Sequence, residues 1–428
     1  MREPPLTPEP APRPQRFWHV DLGPLRRSRQ FRLIFLGQAV SLTGSMLTSV
    51  AMPFQAYQLT HSSLVVGLVS FAELLPLLAV AFVGGALADT VDRRLMVMLS
   101  TVGLALCSAA LVVNSVLGHP QLWVLFVAAA ASAGLGALER PSLDAMIPRV
   151  VESADIAAAT ALDSLGTTLG QVAAPAVAGG LIALAGLGTV YSLDVVSFVV
   201  TLFALLLMEP VPPAPDAGRA SLASIVEGLR YALSRQDLLG TYLVDMAAMV
   251  FGMPQALFPQ LATRLGGPAV LGLLYAAPAL GSLLVSATSG WMTRSSRRGR
   301  AIVLAAASGG LAIIAFGFAP DLWVALLALV VAGGFDMVSG IMRSTIWNTT
   351  IPDSLRGRLA GIELVSFSSG PVLGDLEAGV VDSIAGLQFS IISGGVACVV
   401  ATLALSALLP GLWRSRANSR EAPTRAGG

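Results

Sequence analysis

The sequence predicts an all-α membrane protein of twelve transmembrane helices in two pseudo-symmetric six-helix bundles. Three observations predict it: a composition unsuited to water, apolar runs of bilayer-spanning length, and an internal repeat of those runs. Of 428 residues, 55% are hydrophobic and only 12% charged, and the mean hydropathy is +0.76. A soluble domain carries about 25% charged residues. The solvating surface of a water-soluble fold is therefore missing.

A helix needs about 20 mostly apolar residues to cross hydrocarbon. Runs of that kind lie near 32–58, 64–87, 95–117, 122–143, 158–184 and 188–208. A second set lies near 238–260, 269–292, 301–319, 322–345, 359–382 and 387–410. Backbone polar groups in hydrocarbon must be satisfied within the segment, so these runs are helices. The resulting organisation is a tail at 1–30, a bundle at 31–208, a linker at 209–237, a bundle at 238–412 and a tail at 413–428. The first tail, rich in Pro and Arg, has no cleavable apolar leader and reads as disordered. The linker opens on the stiff EPVPPAP (Glu209 to Pro215). It then places Leu222, Ile225, Val226, Leu229 and Leu233 on one helical face, as in a helix lying on a membrane surface.

The repeat supplies the symmetry. At a spacing of 205, Gln55 matches Gln260, Gly67 matches Gly272, Gly85 matches Gly290 and Arg93 matches Arg298. At 200, Asp163 matches Glu363, Gly170 matches Gly370 and Gly179 matches Gly379. Duplicated bundles of this kind bind substrate near the bilayer midplane between the halves. A chain carrying both halves needs no second copy, so a monomer is the default.

All 26 basic residues are arginine. With twelve spans, every arginine except Arg264 falls at one end, and the positive-inside rule puts that end and both termini in the cytoplasm. The absence of lysine excludes a Gly-Lys-Ser/Thr phosphate loop and a Schiff-base nucleophile. Cys107 and Cys398 fall in apolar runs, and His19, His61 and His119 show no ligand spacing. No metal, cofactor, nucleic acid or catalytic constellation is expected. The expected partners are the lipid bilayer, protons and a small organic solute.

Three stretches carry a family resemblance. GALADTVDRR (Gly85 to Arg94) follows the second span, GQVAAPAVAGG (Gly170 to Gly180) lies in the fifth, and LRGRLAG (Leu355 to Gly361) opens the eleventh. Over about residues 31–412 the chain resembles the major facilitator superfamily, and within it the enterobactin-exporter branch. Thr90 stands where a basic residue is usual in the signature loop, and Asp92 where a glycine is usual. The resemblance implies a gate in which Asp89 meets the start of the eleventh span and Arg93 reaches Asp144, with Arg298 as the repeat counterpart of Arg93. It also implies that Gly170, Pro175, Gly179 and Gly180 form a motif associated with proton-exchanging exporters. Close helix packing alone accounts for small residues at such spacing.

Intramembrane acids are the second group of candidates, because a charged carboxylate at the bilayer centre costs about 2.5–3.5 kcal/mol even on lenient scales. Glu73 and Asp336 lie near midplane and are the first candidates for proton coupling or substrate binding. Asp163 and Glu363 are repeat-related, one turn into their spans, and fit either coupling or a gate contact with Arg140, Arg343 or Arg358. Asp194, Asp245, Asp375 and Glu377 rank lower. Glu139 and Arg140 read as a local ion pair. Gln38, Ser41, Thr43, Ser45, Gln55 and Trp347 are candidate cavity-lining groups. The expected activity is secondary active export of a siderophore or drug-like metabolite by proton antiport. A proton-coupled importer is the alternative within transport. A membrane enzyme or sensor is the alternative outside it, and no enzyme motif or appended soluble domain supports that.

Overall fold

The computed structural model describes residues 21–88, 92–211, 230–294 and 297–415. Asp89 and the linker positions Leu222 to Leu229 lie outside the described residues, as does the side chain of Arg358. The long helices are α1 (Arg29–Thr60), α2 (Ser63–Ala88), α3 (Arg93–Val116) and α4 (Leu122–Val150). The continuous element Ile156–Leu206 is interrupted at Gly186, whose φ of 80° and ψ of 173° break the helix. It therefore comprises α5 (156–185) and α6 (187–206). The second set is α7 (Gln236–Gly252), α8 (Pro268–Ala287), α9 (Arg298–Gly317), α10 (Leu322–Thr350), α11 (Asp353–Ala385) and α12 (Leu387–Leu408).

The structure differs from the sequence reading in two places, and proline causes the first. The seventh span is not one helix: α7 stops at Gly252, and a 3-10 turn (Gln255–Leu257) leads into a second helix, Phe258–Leu265. Pro254 lacks an N–H and bars the residue before it from helical geometry, and Met253 sits at φ −131°, ψ 76°. The eighth span ends at Ala287 instead of near 292, and a 3-10 segment (Ser289–Arg294) follows it.

The tight reversals α5–α6 and α11–α12 both turn on glycine in the left-handed region, Gly186 at φ 80° and Gly386 at φ 88°. These two are 200 residues apart, the same spacing as the sequence repeat in this part of the chain. Helix starts are capped by side chains at Ser28, Asp92 and Asp321, which accept from Phe31 N, Leu95 N and both Trp323 N and Val324 N.

The two sets of helices meet chiefly through α2 against α11 and α5 against α8. These contacts lie at the end remote from the arginines, here called the far end. A Cβ on Gly67 would strike the backbone of Asp375, and one on Gly272 would strike that of Pro175. A Cβ on Gly179 would meet Pro268 O, and one on Gly379 would meet Ser63 O. Every pair obeys the repeat spacing, so one backbone-on-backbone joint is built twice.

The apolar core follows the same division. A single buried cluster at the far end runs through both halves, from Leu47, Val66 and Ala178 to Leu271, Leu274 and Ala378. At the arginine end the clusters stay within one half: Leu238, Tyr242, Trp347 and Leu412 on one side, Ile34, Val97 and Met146 on the other. Among the described residues, the halves share a buried cluster at the far end and none at the arginine end.

Candidate transport site

The first half holds two contiguous cavities. One, of about 280 Å³, is lined by Gln38 and Ser41 of α1, Glu139 and Arg140 of α4, and Thr201 of α6. The other, of about 140 Å³, is lined by Thr48, Glu73, Ser108 and Asp194. Ser45, Leu104 and Ser132 border both, so a polar path leads from Glu139 to Glu73. Glu139 and Arg140 do not pair. Glu139 is buried and accepts from Thr101 Oγ1 at 3.1 Å. Arg140 instead meets Asp144, one turn on, at 3.6 Å. Adjacent residues on a helix point to different faces, whereas residues four apart share one. Asp163 lies within electrostatic reach of Arg140.

Arg93 does not reach the Asp144 carboxylate in this conformation. Its Nη1 donates to Ala145 O at 3.0 Å, and Asp144 is engaged by Arg140. Arg298 reaches the repeat-equivalent place, donating to Thr349 Oγ1 at 3.3 Å. Each arginine therefore braces the last turns of the neighbouring helix within its own half, where carbonyl groups attract a cation. Arg94 does the same for α6, donating to Leu205 O at 2.7 Å and Leu206 O at 3.0 Å.

In the second half, Asp336 borders a cavity of about 50 Å³ with Ala305, Gly309, Ser339 and Cys398. It sits inside that half, away from Glu73, so the two leading acids occupy separate sites. Beside it, Arg343 pairs with Asp245, and both are buried. Glu363 lies within electrostatic reach of both partners. Trp347 Nε1 donates to Thr241 Oγ1 at 2.8 Å, and its ring stacks on Tyr242 with centroids 5.1 Å apart. Arg343 thus serves an internal ion pair, with a partner 98 positions away that sequence spacing had no means of revealing.

Two acids ranked low in the sequence are held by donors from separate elements. Asp194 is buried and accepts from Thr48 Oγ1 and Ser108 Oγ, each at 2.7 Å. Asp375 lies in the joint between halves, accepting from Ser70 Oγ of α2 at 2.9 Å and from Ala256 N at 2.8 Å. The donors are single hydroxyls on separate spans and one backbone N–H, so no spacing in the sequence links them to these acids. The glycine motif divides its work: Gly179 meets α8, Gly170 would meet only Leu42 of its own half, and Gly180 faces open space.

Residues 20–422 match the transmembrane secretion effector family. The enterobactin exporter EntS of Citrobacter koseri is 28% identical over 400 residues, 93% of this chain and 96% of that protein. EntS of Shigella boydii serotype 4 is 28% identical over 358 residues, 83% and 86% of the two chains. Among solved structures, a POT family transporter in complex with 5-aminolevulinic acid superposes with a TM-score of 0.70 at 13% identity, covering 90% of this chain and 97% of that one. A peptide transporter POT in complex with sulfate gives 0.69 at 13%, covering 91% and 96%. These two share the fold. Helices, repeat, joint and relatives agree: the chain belongs to the transmembrane secretion effector family and is a multi-pass exporter of the major facilitator superfamily.

Proposed function

We propose that this exporter moves a siderophore or similar small organic molecule out of the cytoplasm in exchange for protons, as a monomer in the inner membrane. The arginine end and both termini face the cytoplasm. The observation that carries the reading is the division of the core among the described residues: one apolar cluster unites the halves at the far end, and at the arginine end each half has clusters of its own. That is the inward-facing member of an alternating pair. Rocking about the repeated glycine joint gives its partner.

Glu73, with Asp163 in the same half, and Asp336 with Glu363 in the other, are the groups assigned to proton exchange or to holding a polar part of the substrate. Asp89, Arg93, Asp144 and Arg298 are assigned to the cytoplasmic gate, the arginines acting as braces for α4 and α10. The similarity to enterobactin exporters supports the siderophore reading, and the polar path in the first half suits an amphipathic solute. Moving one charge through 100 mV is worth about 2.3 kcal/mol. At 1.4 kcal/mol per tenfold, one proton sustains a gradient of about 50-fold.

The test is uptake of a catecholate siderophore and of a lipophilic dye into inverted vesicles with an imposed pH gradient. We expect accumulation of at least one that collapses with a protonophore. We expect Glu73→Gln and Asp336→Asn to cut the gradient-driven rate by about tenfold or more, the scale of losing one coupling group. Uptake of both that ignores the gradient removes proton exchange from the reading.

A further inference from the structure

The joint at the far end contains a carboxylate that the glycine packing does not require. Asp375 of α11 projects toward α2, and both of its oxygens are held by donors, one from each half: Ser70 Oγ and Ala256 N. Its own backbone is the surface against which Gly67 is pressed. In the repeat-equivalent joint the corresponding residue is Pro175, with no charge. The acid is thus an addition to one of two otherwise matching contacts.

Glu73 stands three residues after Ser70, on the same face of α2. It lies within electrostatic reach of Asp375 and borders the cavity that communicates with Glu139. Two half-buried carboxylates therefore flank one seam, and one of them opens onto the polar path toward the arginine end. Two anions in such a place repel strongly, and a single proton removes the repulsion. The other titratable or charged groups facing the seam are Tyr275 of α8, whose hydroxyl lies 3.4 Å from Gln255 O, and a clasp at its outermost edge. There Gln260, in the amide orientation that satisfies its neighbours, donates to Ser63 Oγ and Asp382 Oδ2 at 2.7 Å and accepts from Arg264 Nη2 at 3.1 Å. Asp194 shares the Glu73 cavity but is occupied by hydroxyl donors.

We propose that Glu73 and Asp375 form a proton-operated latch: the far-end joint closes when the pair carries a proton and is driven open when that proton leaves through the first-half cavity. This rests on the proton-exchange reading and names where the exchange is converted into motion. The cycle balances. A proton taken up from the far side lets the joint close. Its departure toward the arginine end restores two anions, and their repulsion opens the joint with substrate aboard. Asp375 acts as a positioning residue, since it sets the conformation without needing to touch the substrate.

The experiment measures distances between spin labels at His61→Cys and Ser383→Cys, both exposed at the far end, in full-length protein lacking Cys107 and Cys398 and reconstituted in vesicles. Between pH 5 and 9 we expect the closed-distance population to fall as pH rises. Asp375→Asn and Glu73→Gln should each hold the joint closed across the range and flatten the profile. Glu73→Asp should restore the pH dependence, which a merely structural role would not. Ser70→Ala, which keeps both acids, should retain a transition with a shifted midpoint, and covers the case in which Asp375→Asn does not fold. Distances in Glu73→Gln and Asp375→Asn that track the unsubstituted protein overturn the latch. If transport is gradient-driven while those profiles are unaltered, the latch fails and antiport stands. If unsubstituted transport ignores the gradient, antiport fails and the latch falls with it.

Discussion

At the scale of single residues, the buried charges sort by what already satisfies them. Asp194 receives two hydroxyl donors on one oxygen, an arrangement that holds an acid in place. Asp194→Leu keeps the branched shape but leaves those hydroxyls without their acceptor, and we expect a loss of about 1–3 kcal/mol, read as a lower melting temperature in detergent. The Asp245–Arg343 pair gives a sharper test. Removing one partner leaves an uncompensated buried charge, which costs about 3–5 kcal/mol in proteins generally, whereas removing both is often tolerated. Asp245→Asn and Arg343→Met should each lower the melting temperature more than the double variant does. A double variant worse than either single would mean the two side chains act independently.

At the scale of helices, the glycine motif in α5 makes a contrast available within two adjacent positions. Gly179 lies against the α8 backbone, whereas a Cβ at Gly180 meets nothing within 4 Å. Gly179→Leu should wedge the far-end joint, reduce transport by about tenfold or more, the scale set by blocking a required conformational step, and raise labelling of a cysteine placed at His61. Gly180→Ala should leave both within about twofold, as surface substitutions usually do. Equal effects at the two positions would assign the motif to helix packing in general.

At the scale of the whole molecule, orientation is the quantity to settle. Thr263 and Ser234 are exposed at opposite ends. In intact cells, a membrane-impermeant thiol reagent should label Thr263→Cys from outside and Ser234→Cys only after lysis. The converse pattern would invert the transporter and turn the export proposal into import. Among the described residues, a far end united by one cluster and an arginine end with separate ones also predict that this conformation takes substrate from the arginine side, which the inverted-vesicle assay reads directly.

Much of this was written in the order of residues. Apolar runs of spanning length determine a helix wherever they occur, because hydrocarbon offers the backbone no other partner, and the runs fold that way with shifted ends, the seventh in two pieces broken at Met253–Pro254. The repeat spacings of 205 and 200 fix which glycines are equivalent, and the joints obey them. What the sequence left open depends on contacts between distant positions. That Arg343 belongs to Asp245, that Arg140 turns to Asp144 instead of Glu139, and that Glu73 and Asp336 lie in separate cavities are decided by how helices rotate against one another, and every acid in an apolar run looks alike until that rotation is known. Asp375 is the clearest case: in sequence it is an outer-half acid in the place of a proline, and only the meeting of α2 with α11 makes it the charge at the joint between the halves.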